Sequence, residues 1–250
     1  MMTNYKVHTL ELGAFTTESG EIINNLKLRY VHVGYTGQPL VVVCHALTGN
    51  HLTYGTDNHH GWWCEIIDGG YIPCHDYQFL TFNVIGSPFG SSSKKIDPKF
   101  PEQLTLRDNV KAIKKGIQAL GYRKINILIG GSLGGMQVME MLYNNKFQVD
   151  KAIILAATDK MSSYSRAFNE IARQAIHLGG KEGLSIARQL GFLTYRSSKS
   201  YDQSFTPDEV VSYQQHQGNK FKEYFDLNCY LTLLDVLDSH NIDRGRDDVD

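Results

Sequence analysis

The chain has 250 residues, 42% of them hydrophobic, and its 25 basic and 26 acidic side chains leave a formal net charge of −1. Such a chain can bury a large core, which excludes disorder, and with no basic run it is not built to bind nucleic acid. No apolar stretch reaches the roughly 20 residues of a membrane span, and the opening MMTNYKVHTLELG lacks the apolar segment of a signal peptide. A cytoplasmic protein without membrane contact is expected.

In chain order, LKLRYVHVGY (26–35) alternates with period two and suits an antiparallel strand with one wet face. From Leu40 the pattern changes to short, continuously apolar runs: PLVVVCHA (39–46), QFLTFNVIG (78–86), INILIGG (125–131) and KAIILAAT (151–158). These predict strands buried on both faces, as in a parallel sheet. TLRDNVKAIKKGIQALG predicts a helix with Thr105 and Asp108 as a capping box, an apolar stripe of Val110, Ile113, Ile117 and Leu120, and Gly121 at its end. GGMQVMEMLYNN predicts a second helix, buried against the sheet. Alternating strand and helix is the order of a doubly wound α/β fold.

After Thr158 the sequence reads as helices. SRAFNEIARQAIHLGG stops at paired glycines and KEGLSIARQLG follows. TPDEVVSYQQHQG has Thr206 as cap, Pro207 at the first helical position and Glu209 completing a capping box. FDLNCYLTLLDVLDSH carries Leu227, Tyr230, Leu231, Leu234 and Leu237 on one face. The expected division is an α/β core over 1–158 and a helical cap over 159–250. The short loop GSPFGSSSKK is the one low-complexity segment.

Cys44, Cys64, Cys74 and Cys229 sit at irregular spacings without a CxxC pair, which predicts free thiols rather than a disulfide framework or zinc ribbon. His59, His60, Cys64, Cys74 and His75 fall in what reads as loop, without a ligand pair at i, i+4 on a helix. No metal site is predicted.

Gly130-Gly131-Ser132-Leu133-Gly134 matches the G-x-S-x-G nucleophile elbow and falls where a buried strand passes into an apolar helix. In such a turn the serine backbone is strained and its neighbours have no room for a Cβ. Ser132 is the candidate nucleophile. An acyl-transferring serine also needs N–H donors aimed at the developing oxyanion. The backbone of Leu133 supplies one, and Leu47, in the loop CHALTGN, supplies the other. His45 in that loop reads as an anchor for the turn, because in this arrangement the catalytic base follows the serine in the chain.

CHALTGN, GWW (61–63), NVIG with SPFGSSS, GGSLGGMQ, AFNEIARQAI, GLSIARQLGFLTY and FDLNCYLTLLDVLDSHNIDRGR, in this order, resemble the homoserine O-acetyltransferase family of α/β-hydrolase-fold enzymes. The resemblance implies a mostly parallel sheet with a helical cap and a two-step acyl transfer. Ser132 would take an acetyl group from acetyl-CoA and pass it to the hydroxyl of L-homoserine, a step of methionine synthesis, with no bound cofactor. It also implies substrate-binding roles for Arg188 and Tyr195 and a homodimer formed through the cap helices. SPFGSSS and DLNCY depart from the commoner family wording, so acetyl and succinyl donors both stay open. An ester or thioester hydrolase on the same fold, or a non-catalytic chain binding a partner through its cap, are the alternatives.

The family's triad runs Ser, then Asp or Glu, then His, with acid and base after two further strands. Those strands are not found here, and His177, His216 and His240 fall in cap segments. The expectation is a C-terminally truncated chain whose last core strands, acid and base are missing. Its last sheet edge, KAIILAAT, would then be uncovered and Ser132 unactivated.

Overall fold

The computed structural model describes residues 5–56, 59–68, 70–143 and 146–247. The elements run β1 (Tyr5–Glu11), β2 (Phe15–Thr16), β3 (Ile22–Ile23), β4 (Lys27–Val33), β5 (Leu40–Cys44), β6 (Gly55–Thr56), β7 (His59–His60), α1 (Cys64–Asp68), β8 (Gln78–Phe82), α2 (Leu106–Ala119), β9 (Lys124–Gly131), α3 (Leu133–Leu142) and β10 (Gln148–Leu155). Four helices follow: α4 (Ser163–Thr194), α5 (Ser198–Ser204), α6 (Pro207–Tyr224) and α7 (Leu227–Asp238).

The main sheet has six strands in the order β1-β4-β8-β5-β9-β10. The alternating strand β4 pairs antiparallel with β1 and β8, whereas β8, β5, β9 and β10 are mutually parallel. β5 and β8 are buried along their whole length, as continuous apolar runs require in a sheet covered on both faces. α2 and α3 are the crossovers from β8 to β9 and from β9 to β10. The side chain of Thr105 accepts from Asp108 N–H, and the Asp108 carboxylate accepts from Thr105 N–H at 3.0 Å, so the expected capping box starts α2.

One sequence expectation changes. KAIILAAT was expected to be buried on both faces, but the strand starts earlier, at Gln148, and ends at Leu155. It lies at the sheet edge with Ile154 and Leu155 about two-fifths exposed, at 40% and 43%. Among the described residues β9 is its one strand neighbour, so within them the expected bare edge is present while the expected two-sided burial is not. GSPFGSSSKK is a loop, as expected, and it is packed inward, with Ser87, Ser91 and Ser93 fully buried. Ser91 Oγ accepts from Arg29 N–H and donates to the Asn83 carbonyl, at 3.0 and 2.6 Å. Ser92 Oγ accepts from Lys27 N–H at 2.9 Å. The serines thus satisfy the backbone of β4 beyond the point where β8 stops.

The helices after β10 begin and end at one place on the core. Met161 N–H donates to His240 O at 3.1 Å, and Ile242 N–H to Asp159 O at 3.0 Å, which closes a stem beneath α4–α7. Arg246, just after the stem, forms a mostly buried ion pair with Glu140 of α3. Ala172, Ile176, Leu184, Phe221, Tyr230 and Leu233 from these helices share one hydrophobic cluster with Leu80, Ile113 and Leu128 of the sheet and its crossovers. α4 is broken at Gly180 (φ 54°, ψ −122°), where the paired glycines were expected to stop a helix.

Candidate active site

Ser132 sits at the junction of β9 and α3 with φ 55° and ψ −125°, an unfavourable conformation for any residue with a side chain. It is exposed, and its backbone is fixed by Ser132 N–H donating to Leu155 O at 2.9 Å and Met136 N–H donating to Ser132 O at 3.0 Å. The glycines of the motif have steric reasons. A Cβ on Gly130 would strike the Gly134 carbonyl, and one on Gly134 would strike the Cys44 carbonyl at the end of β5. That close approach lays the first turn of α3 against the loop CHALTGN.

The loop is held from inside. Val84 N–H donates to His45 Nε2 at 3.1 Å, which leaves the ring proton on Nδ1 to donate to the Ala46 carbonyl at 2.8 Å. Burial pushes the His45 pKa down to about 4, so the ring is neutral and structural at pH 7, in keeping with its expected role as an anchor. Gln137 of α3 donates from Nε2 to His45 O at 3.2 Å, tying loop to elbow. Leu133 opens α3, where an N–H has no acceptor within the helix. Among the described residues the Leu47 N–H has no hydrogen-bond acceptor either. An exposed serine beside a loop and a helix start with free N–H groups has the parts for attack on an acyl carbonyl.

Arg188 and Tyr195, both expected to bind substrate, come together at the C-terminal end of α4. Arg188 Nη1 donates to Thr48 Oγ1 at 3.3 Å and to the Tyr195 hydroxyl at 3.4 Å. Thr48 follows Leu47, so the guanidinium reaches the same loop as the elbow. Arg188 forms no ion pair among the described residues. Three rings surround it instead, with Phe192, Phe221 and Tyr195 centroids at 4.4, 4.8 and 5.9 Å. GWW meets the loop from the other side, where Trp62 Nε1 donates to Asn50 O at 3.1 Å. The segment from His60 to Ile66 lines a cavity of about 820 Å³.

Thr48, Gln137, Phe192 and Phe221 were not singled out from the sequence, and neither was Ala156. Ser132 and Ala156 (φ 47°) are the two non-glycine residues with positive φ among those described. They end the neighbouring strands β9 and β10, so backbone strain is concentrated at the elbow. His240 is 2% exposed with Nε2 bonded to Thr158 O at 2.8 Å, which places it in the cap stem. Among the described residues no histidine or carboxylate hydrogen bonds to Ser132, and no group of three metal-ligating side chains occurs. The side chain of His59 lies outside those described. Among the described residues no disulfide joins the cysteines.

The model of the α/β hydrolase fold family matches residues 39–178. A homoserine O-acetyltransferase from Natronomonas pharaonis is 32% identical over 95% of this chain and 72% of its own length. The chain belongs to the homoserine O-acetyltransferase family. Members of this family and their kin differ in donor by name: a homoserine O-succinyltransferase from Methylibium petroleiphilum is 34% identical over 88% of this chain and 68% of its own. A crystal structure of the homoserine O-acetyltransferase from Staphylococcus aureus superposes with a TM-score of 0.94 at 83% identity, covering 98% of this chain and 75% of that one.

Proposed function

We propose that the chain carries the acyl-binding and acceptor-binding parts of an L-homoserine O-acetyltransferase. Ser132 Oγ attacks the acetyl carbonyl of acetyl-CoA, the CoA thiolate leaves, and the homoserine hydroxyl then takes the acetyl group, giving O-acetyl-L-homoserine for methionine synthesis. Leu47 and Leu133 N–H groups stabilise the oxyanion of each tetrahedral intermediate. Arg188 receives the acceptor's carboxylate and Tyr195 flanks it. The observation that carries this reading is the strained, exposed Ser132 next to a loop that an unpaired arginine of the following helices also touches. Cytoplasmic location, a core over 1–158 with a cap over 159–250, and a homodimer through the cap belong to the same reading. Tyr164, Ile171 and Leu178 support the dimer. They recur every seventh residue on α4 and are 75%, 54% and 91% exposed.

Among the described residues no histidine or carboxylate bonds to Ser132, so the reading includes an unactivated serine, and loss of triad members costs about 10³-fold or more in rate. The test is CoA release from acetyl-CoA and from succinyl-CoA, with and without L-homoserine. Acetyl-CoA as the better donor, a Ser132-dependent acetyl adduct seen by mass spectrometry, and turnover about 10³-fold or more below the S. aureus enzyme are expected. Turnover equal to that enzyme would refute the unactivated serine. Release indifferent to L-homoserine would favour the hydrolase, and an adduct that survives Ser132→Ala would remove Ser132 as nucleophile.

A further inference from the structure

A guanidinium that is to grip a carboxylate must be held in place without giving its N–H groups to another anion. Arg188 is half-buried and unpaired, yet it is not loose, because aromatic faces surround it. Phe192 is one turn along the same helix, so its contact is local. Phe221 comes from α6, is 1% exposed, and is itself fixed by Phe225 stacked at 4.7 Å and Tyr230 edge-on at 5.6 Å. Phe225 in turn meets Phe89 of the buried serine loop edge-on at 5.5 Å. The helices approach closely at one point, where a Cβ on Gly218 would strike Ser185 Oγ. The two helices run antiparallel, with Lys222 meeting Glu182 and Tyr213 meeting Phe192 on either side of this contact, so the long Arg188 side chain reaches back across the contact to the Phe221 ring.

We propose that Phe221 is a positioning residue for Arg188, its ring holding the guanidinium by cation–π attraction so that the N–H groups not given to Thr48 and Tyr195 stay free for the acceptor's carboxylate. A carboxylate in place of the ring would neutralise the charge and occupy the donors, whereas a π face does neither. The inference rests on the reading of Arg188 as the carboxylate-binding group. Gly218 contributes by letting the helices close.

The test uses this chain and two measurements. L-Homoserine binding is followed by calorimetry in the wild type, Phe221→Leu, Phe221→Tyr and Arg188→Ala, and the Arg188 Nε–H resonance is followed by NMR with and without the ligand. Phe221→Leu is expected to bind about tenfold more weakly and to move the Arg188 resonance out of its ring-current-shifted position, at unchanged helical circular dichroism. Phe221→Tyr is expected to restore both. If Phe221→Leu binds as the wild type does, or if Phe221→Tyr loses as much as Phe221→Leu, the ring only fills space and the proposal falls. If the wild type binds no L-homoserine, the carboxylate-binding reading fails on its own. The resonance shift then still decides whether Phe221 holds Arg188.

Discussion

Ser132 holds φ 55° and ψ −125°, a conformation that glycine adopts freely and serine only under strain of about 1–3 kcal/mol. The strain is imposed by its surroundings. Its N–H is pinned to Leu155 O, and the glycines on either side leave no freedom to shift the turn. Ser132→Gly should therefore stabilise the protein by about 1 kcal/mol. Ser132→Ala keeps a Cβ in the same strained backbone and should be close to neutral. Urea unfolding of the three proteins checks this, and equal midpoints for Gly and Ala would mean the elbow relaxes when its hydroxyl is removed.

Among the elements, α2 shows how local chemistry fixes a boundary. The carboxylate of Asp108 accepts from the N–H of Thr105 and also, at 2.7 Å, from the N–H of Glu18 in the β2–β3 hairpin. One side chain thus starts a helix and anchors the hairpin to it. Burial pushes the Asp108 pKa up in spite of these donors, so the site needs an acceptor more than a charge. Asp108→Ala is expected to lower stability by about 2 kcal/mol and Asp108→Asn by clearly less, measured by denaturant unfolding. A similar loss in both would show that the charge is what matters. The capping boxes at Thr105 and Thr206, the glycine break in α4 and the strand–serine–helix junction were legible in the sequence because each depends on neighbours a few residues apart. The start of β10 was not, since an edge strand has one partner and its apolar run does not mark where pairing begins. Nor were Ala156 and the Phe221–Arg188 contact, which arise where separate elements meet. The inward packing of the serine loop was not legible for a related reason, because its hydroxyls serve the backbone of a strand far away in sequence.

At the scale of the molecule two apolar surfaces are bare, and they predict different associations. β10 offers unpaired backbone groups beside Ile154 and Leu155, so it can add strands without limit and favours open aggregates. The stripe of Tyr164, Ile171 and Leu178 on α4 offers no strand edge, and a helix face closes a two-fold pair by matching its own copy. Leu178→Asp should therefore convert the proposed dimer to a monomer while leaving the tendency to aggregate unchanged. Ile154→Lys, placing a charge at the sheet edge, should reduce concentration-dependent aggregation and leave the dimer intact. Sedimentation velocity over a range of concentrations separates the two effects. If Ile154→Lys dissolves the dimer instead, the copies pair through the sheet edge and the cap stripe is free for another partner.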